Sequence, residues 1–332
     1  MNRHRVQTLL GGCLLAGVLL PLPSTGAEQA NAIVDALQMP AWIERQGVRH
    51  ALVPGTILAN QDKLVTGADA RVRIQLADGS VLALGDNSEM RLNALGVREK
   101  PVFTAAIDVP HGSLRFTTGT FSRQHRERAI NLRFGTLTAG VRGTDLWGSA
   151  DADGDRVCLL EGTITVVHPD DQAQQLSAPA TCYLASQGAT PTLSEAASAG
   201  QLSMWAAQAG IQRGNGEATR AGRWLLELAV LDSEAAALAL YDRARAAGYA
   251  VRIMPRAAAG GGYHYAVRVT QLATKNDAAA LAARIGQALS RTLARRNSWS
   301  PCVMRGLAFF LPKAYPCKMR WLPLLFGRIC CM

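Results

Sequence analysis

Two cysteines, Cys158 and Cys182, lie in the central part of the chain, each within an apolar segment patterned like a β-strand. Their separation fits neither a Cys-x-x-Cys motif nor the ligand spacing of a zinc site, so we do not expect them to bind a metal. In an oxidising compartment they could form a disulfide. Because separation along the chain does not determine geometry, two buried free thiols fit the sequence equally well.

The other residues that could support catalysis do not form a recognisable motif. Residues 151–155 read Asp-Ala-Asp-Gly-Asp, but Arg156 and Gly162 stand where an EF-hand loop requires glycine and glutamate, which favours a hairpin turn. The six histidines form no zinc motif, and the chain has no nucleophile elbow and no phosphate-binding loop. We therefore expect no enzymatic activity, no cofactor and no bound metal.

Residues 1–27 have the pattern of a signal peptide. A basic start is followed by an apolar run from Leu9 to Leu22 and by small residues that end at Ala27. The run is shorter than the roughly 20 apolar residues that span a bilayer. We expect export to the periplasm with cleavage after Ala27, and the alternative is retention as an N-terminal membrane anchor.

The net charge of +10 is unevenly distributed along the chain. Residues 1–27 and 301–332 together hold seven basic residues and no acid, which leaves 28 basic and 25 acidic residues between them. Within this middle part, residues 222–296 are basic on their own, with eleven Lys and Arg against five acids. A protein that binds nucleic acid needs extended basic surfaces. An exported protein is also separated from the nucleic acid of the cytoplasm. We expect no nucleic-acid partner.

Residues 42–186 contain short segments of strand pattern that are separated by turn residues. Residues 72–76 alternate apolar and polar side chains, Asp78-Gly79 supplies a hairpin turn, and residues 81–84 resume the strand pattern. No long helical pattern interrupts the series. The segment is therefore predicted to form an all-β domain of the sandwich or roll type.

The pattern changes twice after this domain. Residues 187–221 are rich in Ala, Gly, Ser, Gln and Thr, which predicts a flexible linker with one short helix from Ser194 to Ala209. Residues 222–298 then follow the order strand, helix, strand, strand, helix, with helix starts at Asp232-Ser233 and at Asn276-Asp277. This predicts a small α+β domain in which two helices pack on an antiparallel sheet.

The β-rich segment resembles the FecR-type periplasmic domain. The resemblance lies in Val-Pro-Gly-Thr at 53–56 with residues 62–67, in Leu-Ala-Asp-Gly-Ser at 76–80, in Val-Arg-Gly-Thr-Asp at 141–145 and in residues 160–166. The family is named for a signal transducer that carries an anti-sigma portion before a membrane span. Here only about eight residues precede the apolar run, so anti-sigma signalling is not expected.

The second domain is similar to the SPOR domain, the sporulation-related repeat. The similarity lies in residues 224–231 as the first strand, Gly248-Tyr249 after the first helix, residues 265–272 as a later strand and residues 275–283 in the second helix. Glu227 replaces a glutamine of the family, and Ala229 and Thr270 replace glycines. The resemblance implies binding to septal peptidoglycan whose glycan strands lack stem peptides.

The SPOR resemblance also implies a glycan-binding face on the sheet. Side chains alternate between the two faces along a strand, and the face used by SPOR relatives would here carry Leu225, Glu227, Ala229, Ala266, Arg268 and Thr270. Glu227 and Arg268 could hydrogen-bond sugar hydroxyls, amides or the lactyl carboxylate. The alternative is an exposed Glu–Arg cross-strand pair without a ligand.

Residues 299–332 form a basic, Cys-rich tail in which the last strand of a SPOR sheet is not recognisable. We hypothesise that the reading frame departs from its ancestor near this point, or that the tail packs on a membrane. The whole chain is interpreted as a non-catalytic envelope protein that binds denuded glycan, chiefly at the division septum, with envelope or division proteins as further partners. The alternative is a periplasmic sensor or interaction scaffold that does not bind glycan.

Overall fold

The computed structural model describes residues 30–99, 102–119, 127–194, 196–295, 299–304, 307–312 and 329–331. The predicted signal peptide lies outside the described residues. The strands of the first domain are β1 Ala32–Gln38, β2 Ala41–Arg45, β3 Val48–Ala51, β4 Ile57–Leu58, β5 Lys63–Thr66, β6 Arg71–Leu76, β7 Val81–Leu84, β8 Glu89–Glu99, β9 Val102–Thr117, β10 Glu127–Phe134, β11 Leu137–Val141, β12 Asp145–Asp151, β13 Gly154–Glu161, β14 Ile164–Val167, β15 Gln174–Leu176, β16 Cys182–Ser186 and β17 Thr192–Leu193.

The remaining elements follow in chain order. They are α1 Ala199–Ala209, β18 Glu217–Thr219, β19 Trp224–Leu231, α2 Glu234–Ala246, β20 Val251–Ala257, β21 Tyr263–Leu272, α3 Lys275–Arg295, β22 Trp299–Met304, β23 Leu307–Pro312 and β24 Ile329–Cys331.

The first domain consists of two sheets that share β9. In one sheet the order is β1-β6-β7-β9-β12-β13-β16-β17, and in the other it is β3-β2-β5-β8-β9-β10-β11-β14-β15. Side chains from both sheets, such as Phe116 and Phe103, belong to one buried apolar cluster. The predicted all-β class is confirmed.

Two predicted turns form hairpins in this domain. Asp78-Gly79 connects β6 to β7, and Gly79 has a φ of 85°, which a residue without a Cβ adopts at low cost. Ala152-Asp153 connects β12 to β13, whose ends pair Asp151 with Gly154. The segment 151–155 therefore forms the hairpin turn that its sequence predicts.

The domain begins earlier than the predicted residue 42. Strand β1 pairs with β6 over most of its length and with β4 near its start. Ala32, Val34 and Leu37 are fully buried in the shared core. The alternation of buried and half-buried residues in β1 is the ordinary strand pattern, which the sequence interpretation overlooked.

Residues 187–221 contain the short helix predicted between Ser194 and Ala209, as α1, and also strands β17 and β18, which the composition did not suggest. Helix α1 begins after Ser198, whose hydroxyl accepts a hydrogen bond from the Gln201 backbone while the Gln201 side chain accepts one from the Ser198 backbone. Trp205 anchors the helix by stacking on Trp147, with ring centroids 5.1 Å apart and planes 10° apart. One buried tryptophan can hold a segment whose composition is otherwise that of a linker.

Cys158 and Cys182 are directly opposite each other in β13 and β16, with Cα atoms 3.9 Å apart, and they form a disulfide in the structure. The bridge is buried beneath the Trp147–Trp205 pair. It joins two neighbouring strands at the place where α1 covers the sheet. We propose that this bridge forms in the exported protein.

The second domain has the predicted order of elements. Strands β19, β21 and β20 pair antiparallel, with β21 in the centre. Ser233 caps α2, where its hydroxyl accepts a hydrogen bond from the Ala236 backbone. The sheet has a further strand, β24, which pairs antiparallel with residues 224–226. The fourth strand therefore comes from the end of the tail, whereas β22 and β23 form a separate hairpin.

The two domains meet in an extensive junction. Strand β18 pairs with β1 of the first domain and, through Ala218 and Leu272, with β21 of the second. Arg284 of α3 donates a hydrogen bond to the carbonyl of Met39 at 3.0 Å and others to Asn215. The Trp42 ring nitrogen donates to the Ala246 carbonyl at 3.3 Å. The connection between the domains is therefore a packed interface with backbone pairing.

Candidate functional site

The sheet of the second domain has one face covered by helices. Apolar side chains of the sheet, such as Leu226, Val267 and Val269, share a buried cluster with Ala237 of α2 and Leu281 of α3. Successive side chains of a strand point to opposite faces. The residues between these core positions therefore lie on the other face, which we call the open face.

Three charged residues form a row across the open face. Glu227 of β19 is directly opposite Arg268 of β21, and Arg268 is directly opposite Arg252 of β20. Glu227 is buried, Arg268 is half-buried and Arg252 is exposed. The predicted pair of Glu227 and Arg268 is thus placed side by side, and the structure adds Arg252 to it.

A β-bulge changes the next row. The register between β19 and β21 shifts after Glu227, so that Ala229 is opposite Val267 and Val230 is opposite Ala266. Because Val267 belongs to the core, the prediction that Ala229 shares the face of Glu227 is wrong. The extra residue at the bulge interrupts the simple alternation on which the prediction depended. Val230 takes the place that Ala229 was expected to have.

The second row of the open face is therefore apolar. It consists of Val230, Ala266 and Met254, which are cross-strand neighbours. Val230 and Met254 are exposed, whereas the small side chain of Ala266 between them is fully buried. Ala266 was predicted on this face, and Val230 and Met254 were missed.

The remaining predicted residues lie at the edge of the face. Leu225 is buried and Thr270 is half-buried. Here the register between β19 and β21 shifts again, and Gln271 has a φ of 65°. The strands are therefore irregular at this end, and Leu225 and Thr270 do not form a directly opposed pair.

An ion pair crosses the open face. A guanidinium nitrogen of Arg256 lies 2.9 Å from a carboxylate oxygen of Glu227. In the strand register Arg256 is opposite His264, one row beyond Ala266 on the same face. The Arg256 side chain must therefore extend across the Ala266 row to reach Glu227.

The sequence contained a signal for the residues that were missed. Arg252, Met254 and Arg256 alternate with Val251, Ile253 and Pro255, which is the period of a strand with two different faces. The predicted strand ends at Met254, and the predicted face contains residues of the first and third strands only. The structure extends β20 to Ala257 and places it beside β21.

In the first domain, the segments that resemble FecR domains contain buried residues that stabilise the fold. Asp78 is fully buried and lies 2.7 Å from the Arg128 guanidinium. Its carboxylate also accepts hydrogen bonds from the backbone and hydroxyl of Ser80, at 3.0 and 2.7 Å. Asp62 is nearly as buried and receives a two-pronged contact from Arg45, at 2.7 and 2.6 Å. These carboxylates are occupied by internal partners.

The Val-Arg-Gly-Thr segment forms a tight turn. Gly143 has a φ of 72°, and its carbonyl oxygen would lie 2.5 Å from a Cβ added at Gly162. Thr144 is buried, and its backbone amide donates to the Thr118 hydroxyl at 2.8 Å. Arg142 is exposed. The positive φ explains the glycine at 143, and the close contact explains the glycine at 162, which gives the motif a structural role.

The described residues contain no group of three or more His, Cys, Asp or Glu side chains placed to hold a metal ion. Within the same part of the chain, no helix combines the length and the apolar character needed to cross a bilayer. A cleft of about 530 Å³ lies in the first domain beside Asp155, His168 and Asp170.

Comparison with protein families identifies both domains. The family described as FecR protein matches residues 62–165, and the family described as SPOR domain matches residues 221–292. No curated protein matches the chain. Two crystal structures of a protein from Parabacteroides distasonis proposed to be an anti-sigma factor cover 76% of this chain and 99% of their own, with a TM-score of 0.35 and sequence identities of 11% and 12%.

The fold and the open face thus define a two-domain protein with a β-sandwich followed by a small α+β domain. More specifically, the chain contains a FecR domain followed by a SPOR domain. Both are non-catalytic domain families, SPOR domains bind peptidoglycan, and the combination indicates a protein of the cell envelope.

Proposed function

We propose that this protein binds denuded glycan strands of peptidoglycan through the open face of its SPOR domain. The protein is exported to the periplasm, carries out no catalysis and concentrates at the division septum, where glycan without stem peptides occurs. The observation that carries the proposal is the SPOR match over residues 221–292 together with a sheet face opposite the one that packs against α2 and α3.

The open face has the side chains that a sugar chain requires. In the apolar row, the exposed side chains of Val230 and Met254 can pack against the non-polar faces of sugar rings. The adjacent row of Glu227, Arg268 and Arg252 offers hydrogen-bond groups for hydroxyls, acetamido groups and carboxylates. Ala266 between them is fully buried, so Val230 and Met254 are the side chains of this row that a sugar ring can contact.

The FecR domain is carried to the wall by this binding. The two domains share backbone pairing through β18, and Arg284 ties α3 to residues 39 and 215. A ligand held by the SPOR domain therefore also positions the FecR domain. Its partners in this proposal are envelope or division proteins.

One observation favours the second candidate function, a periplasmic sensor or scaffold without glycan binding. The Arg256–Glu227 ion pair extends across the Ala266 row and occupies the surface that a sugar would use. If this pair keeps glycan out, then removal of the Arg256 side chain allows binding that the natural chain lacks.

The proposal is tested by retention of the full mature chain on sacculi treated with an amidase, which removes stem peptides. We expect strong retention of the natural chain, weak retention on untreated sacculi, and loss of at least tenfold in retention for Arg268→Glu, because a second acid beside Glu227 repels the ligand carboxylates (about 1.4 kcal/mol corresponds to tenfold). Arg243→Glu, on the exposed side of α2, is the control with the same charge change.

Four measurements decide between the candidates. Equal retention of Arg268→Glu and the natural chain rules out the open face. Retention of Arg256→Ala alone favours the sensor function. In dividing cells, a fluorescent fusion of the natural chain at the septum supports the proposal, and a uniform envelope signal contradicts it. Release of soluble glycan by the purified protein contradicts the non-catalytic role.

A further inference from the structure

Arg252 and Arg268 are directly opposite each other on the open face. Like charges in this position repel and destabilise an antiparallel pair. Neither arginine forms an ion pair with an acidic residue within the described part of the chain. The nearby carboxylate of Glu227 is already paired with Arg256 at 2.9 Å.

The arginines of the FecR domain show the opposite arrangement. Arg45 is paired with Asp62, Arg115 with Asp145 and Arg128 with Asp78, each at 2.7 Å or less. In the FecR domain an acid thus commonly lies beside a strand arginine. The pairing of two strand arginines with each other on the open face is therefore a departure from this pattern.

The Arg268 guanidinium has a further unsatisfied group. Its Nε is shielded from solvent and has no hydrogen-bond partner among the described residues. A buried donor without a partner costs free energy, and a charged donor costs more than a neutral one. An anionic oxygen bound at this position would satisfy the donor and offset the repulsion from Arg252.

We propose that Arg252 and Arg268 form a carboxylate subsite that recognises the free lactyl group of muramic acid. This inference rests on the proposed function and names the group that determines its specificity. In a denuded strand each lactyl group ends in a carboxylate, whereas an attached stem peptide converts that carboxylate into a neutral amide. Two guanidinium groups side by side bind the carboxylate by charge-assisted hydrogen bonds and bind the amide more weakly. The subsite thus distinguishes denuded strands from peptide-bearing strands by charge.

The test compares two soluble probes: denuded glycan strands, and the same strands after chemical reduction of the lactyl carboxylates to alcohols. With the full mature chain, we expect reduction to weaken binding about tenfold or more, the effect of losing a charge-assisted hydrogen bond. The double variant Arg252→Gln/Arg268→Gln should bind unreduced strands as weakly as the natural chain binds reduced strands. It should lose no further affinity when the strands are reduced. Arg243→Gln on α2 is the control and should behave like the natural chain.

The two proposals fail in different ways. If the natural chain binds neither probe, the proposed function fails and the subsite with it. If the natural chain binds both probes equally, the carboxylate subsite is wrong while glycan binding stands. A second measurement guards against unfolded variants: Arg252→Gln should melt at the same or a higher temperature than the natural chain, because it removes the repulsion from Arg268. A lower melting temperature for this variant contradicts the unpaired arrangement on which the subsite depends.

Discussion

At the scale of single residues, the two domains use their charged side chains differently. In the FecR domain the carboxylates of Asp62 and Asp78 are buried and paired with arginines, so these residues stabilise the fold. In the SPOR domain Arg252 and Arg268 stand on an open sheet face without an acidic partner among the described residues. The first arrangement stabilises a fold, and the second leaves charge available for a ligand.

The buried pair in the FecR domain gives a prediction for stability. Asp78→Ala should lower the free energy of unfolding by about 3–5 kcal/mol, because it leaves the Arg128 charge buried without its partner. The control is Asp232→Ala, whose carboxylate is 88% exposed beside His264, and which should change stability by no more than about 0.5 kcal/mol. Urea unfolding of the full chain measures both. Equal effects of the two substitutions would show that the buried Asp78–Arg128 pair does not stabilise the fold.

Glu217 at the domain junction gives a prediction for pH dependence. Burial raises the pKa of its carboxyl, Arg73 opposes the shift, and Asp277 adds to it. A carboxyl whose pKa is raised in the folded state costs stability when it is ionised, and this cost disappears as the pH falls through the folded pKa. Glu217→Gln should therefore melt higher than the natural chain at pH 7, by about 2 °C.

The difference between Glu217→Gln and the natural chain should shrink as the pH falls to 4, where the unfolded carboxyl also becomes protonated. Thermal unfolding at several pH values measures it. The backbone amide of residue 217 donates to Asp277 at 2.9 Å in either variant, so this contact is not altered. If the difference in melting temperature stays constant or grows toward pH 4, the pKa of Glu217 is not raised in the folded protein.

At the scale of secondary structure, the sequence predicted most elements of both domains, together with their order. Hairpin turns such as Asp78-Gly79 and the cap at Ser233 are local, because a few neighbouring residues determine them. The bulge after Glu227 could not be predicted in this way. It depends on how β19 pairs with β21, and it moved Ala229 off the predicted face. Alternation of side chains predicts which residues share a sheet face only as far as the first bulge of the strand.

The end of α2 gives a prediction for this scale. Gly248 has a φ of 86°, and a Cβ added there would lie 2.6 Å from the Trp42 ring and 2.8 Å from Pro40. Gly261 has a similar φ of 90°, but a Cβ added there would meet nothing within 4 Å. Both alanine substitutions place a Cβ on a residue with positive φ, which strains the backbone. Gly248→Ala in addition pushes this Cβ against Trp42 and Pro40 of the first domain.

We therefore expect Gly248→Ala to cost about 1–3 kcal/mol more than Gly261→Ala in the free energy of unfolding. Chemical denaturation of the full chain measures the difference between the two variants. Tryptophan fluorescence should also change in Gly248→Ala, because the environment of Trp42 is disturbed. If the two substitutions cost the same, Gly248 does not hold the domain contact.

At the scale of the whole molecule, the main difference from the sequence prediction lies between the domains. The composition of residues 187–221 indicated a flexible linker with one short helix. The helix is present as α1, but Trp205 anchors it, and the segment also contains β18, which pairs with strands of both domains. Such contacts join residues far apart in the chain, and composition does not report them. The fourth strand of the SPOR sheet, from residues 329–331, is another long-range contact of this kind.

The packed junction has a consequence for function. A SPOR domain on a flexible tether would concentrate the FecR domain near the wall without orienting it. Here Arg284 of α3 binds the carbonyl of Met39 at 3.0 Å, and Trp42 binds the end of α2 at 3.3 Å. In the proposed function, glycan held on the open face would therefore position the FecR domain relative to the bound strand.

The central claim, that denuded glycan binds on the open face, is tested most directly by mapping backbone amide chemical shifts of the full mature chain during titration with soluble denuded strands. We expect the amide resonances of β19, β20 and β21, including those of Glu227, Arg252 and Arg268, to shift in proportion to bound glycan. The chemical shifts of the amides of α2 and of the FecR domain should not change. Shifts confined to the helices or to the FecR domain, with none in these three strands, would contradict the central claim.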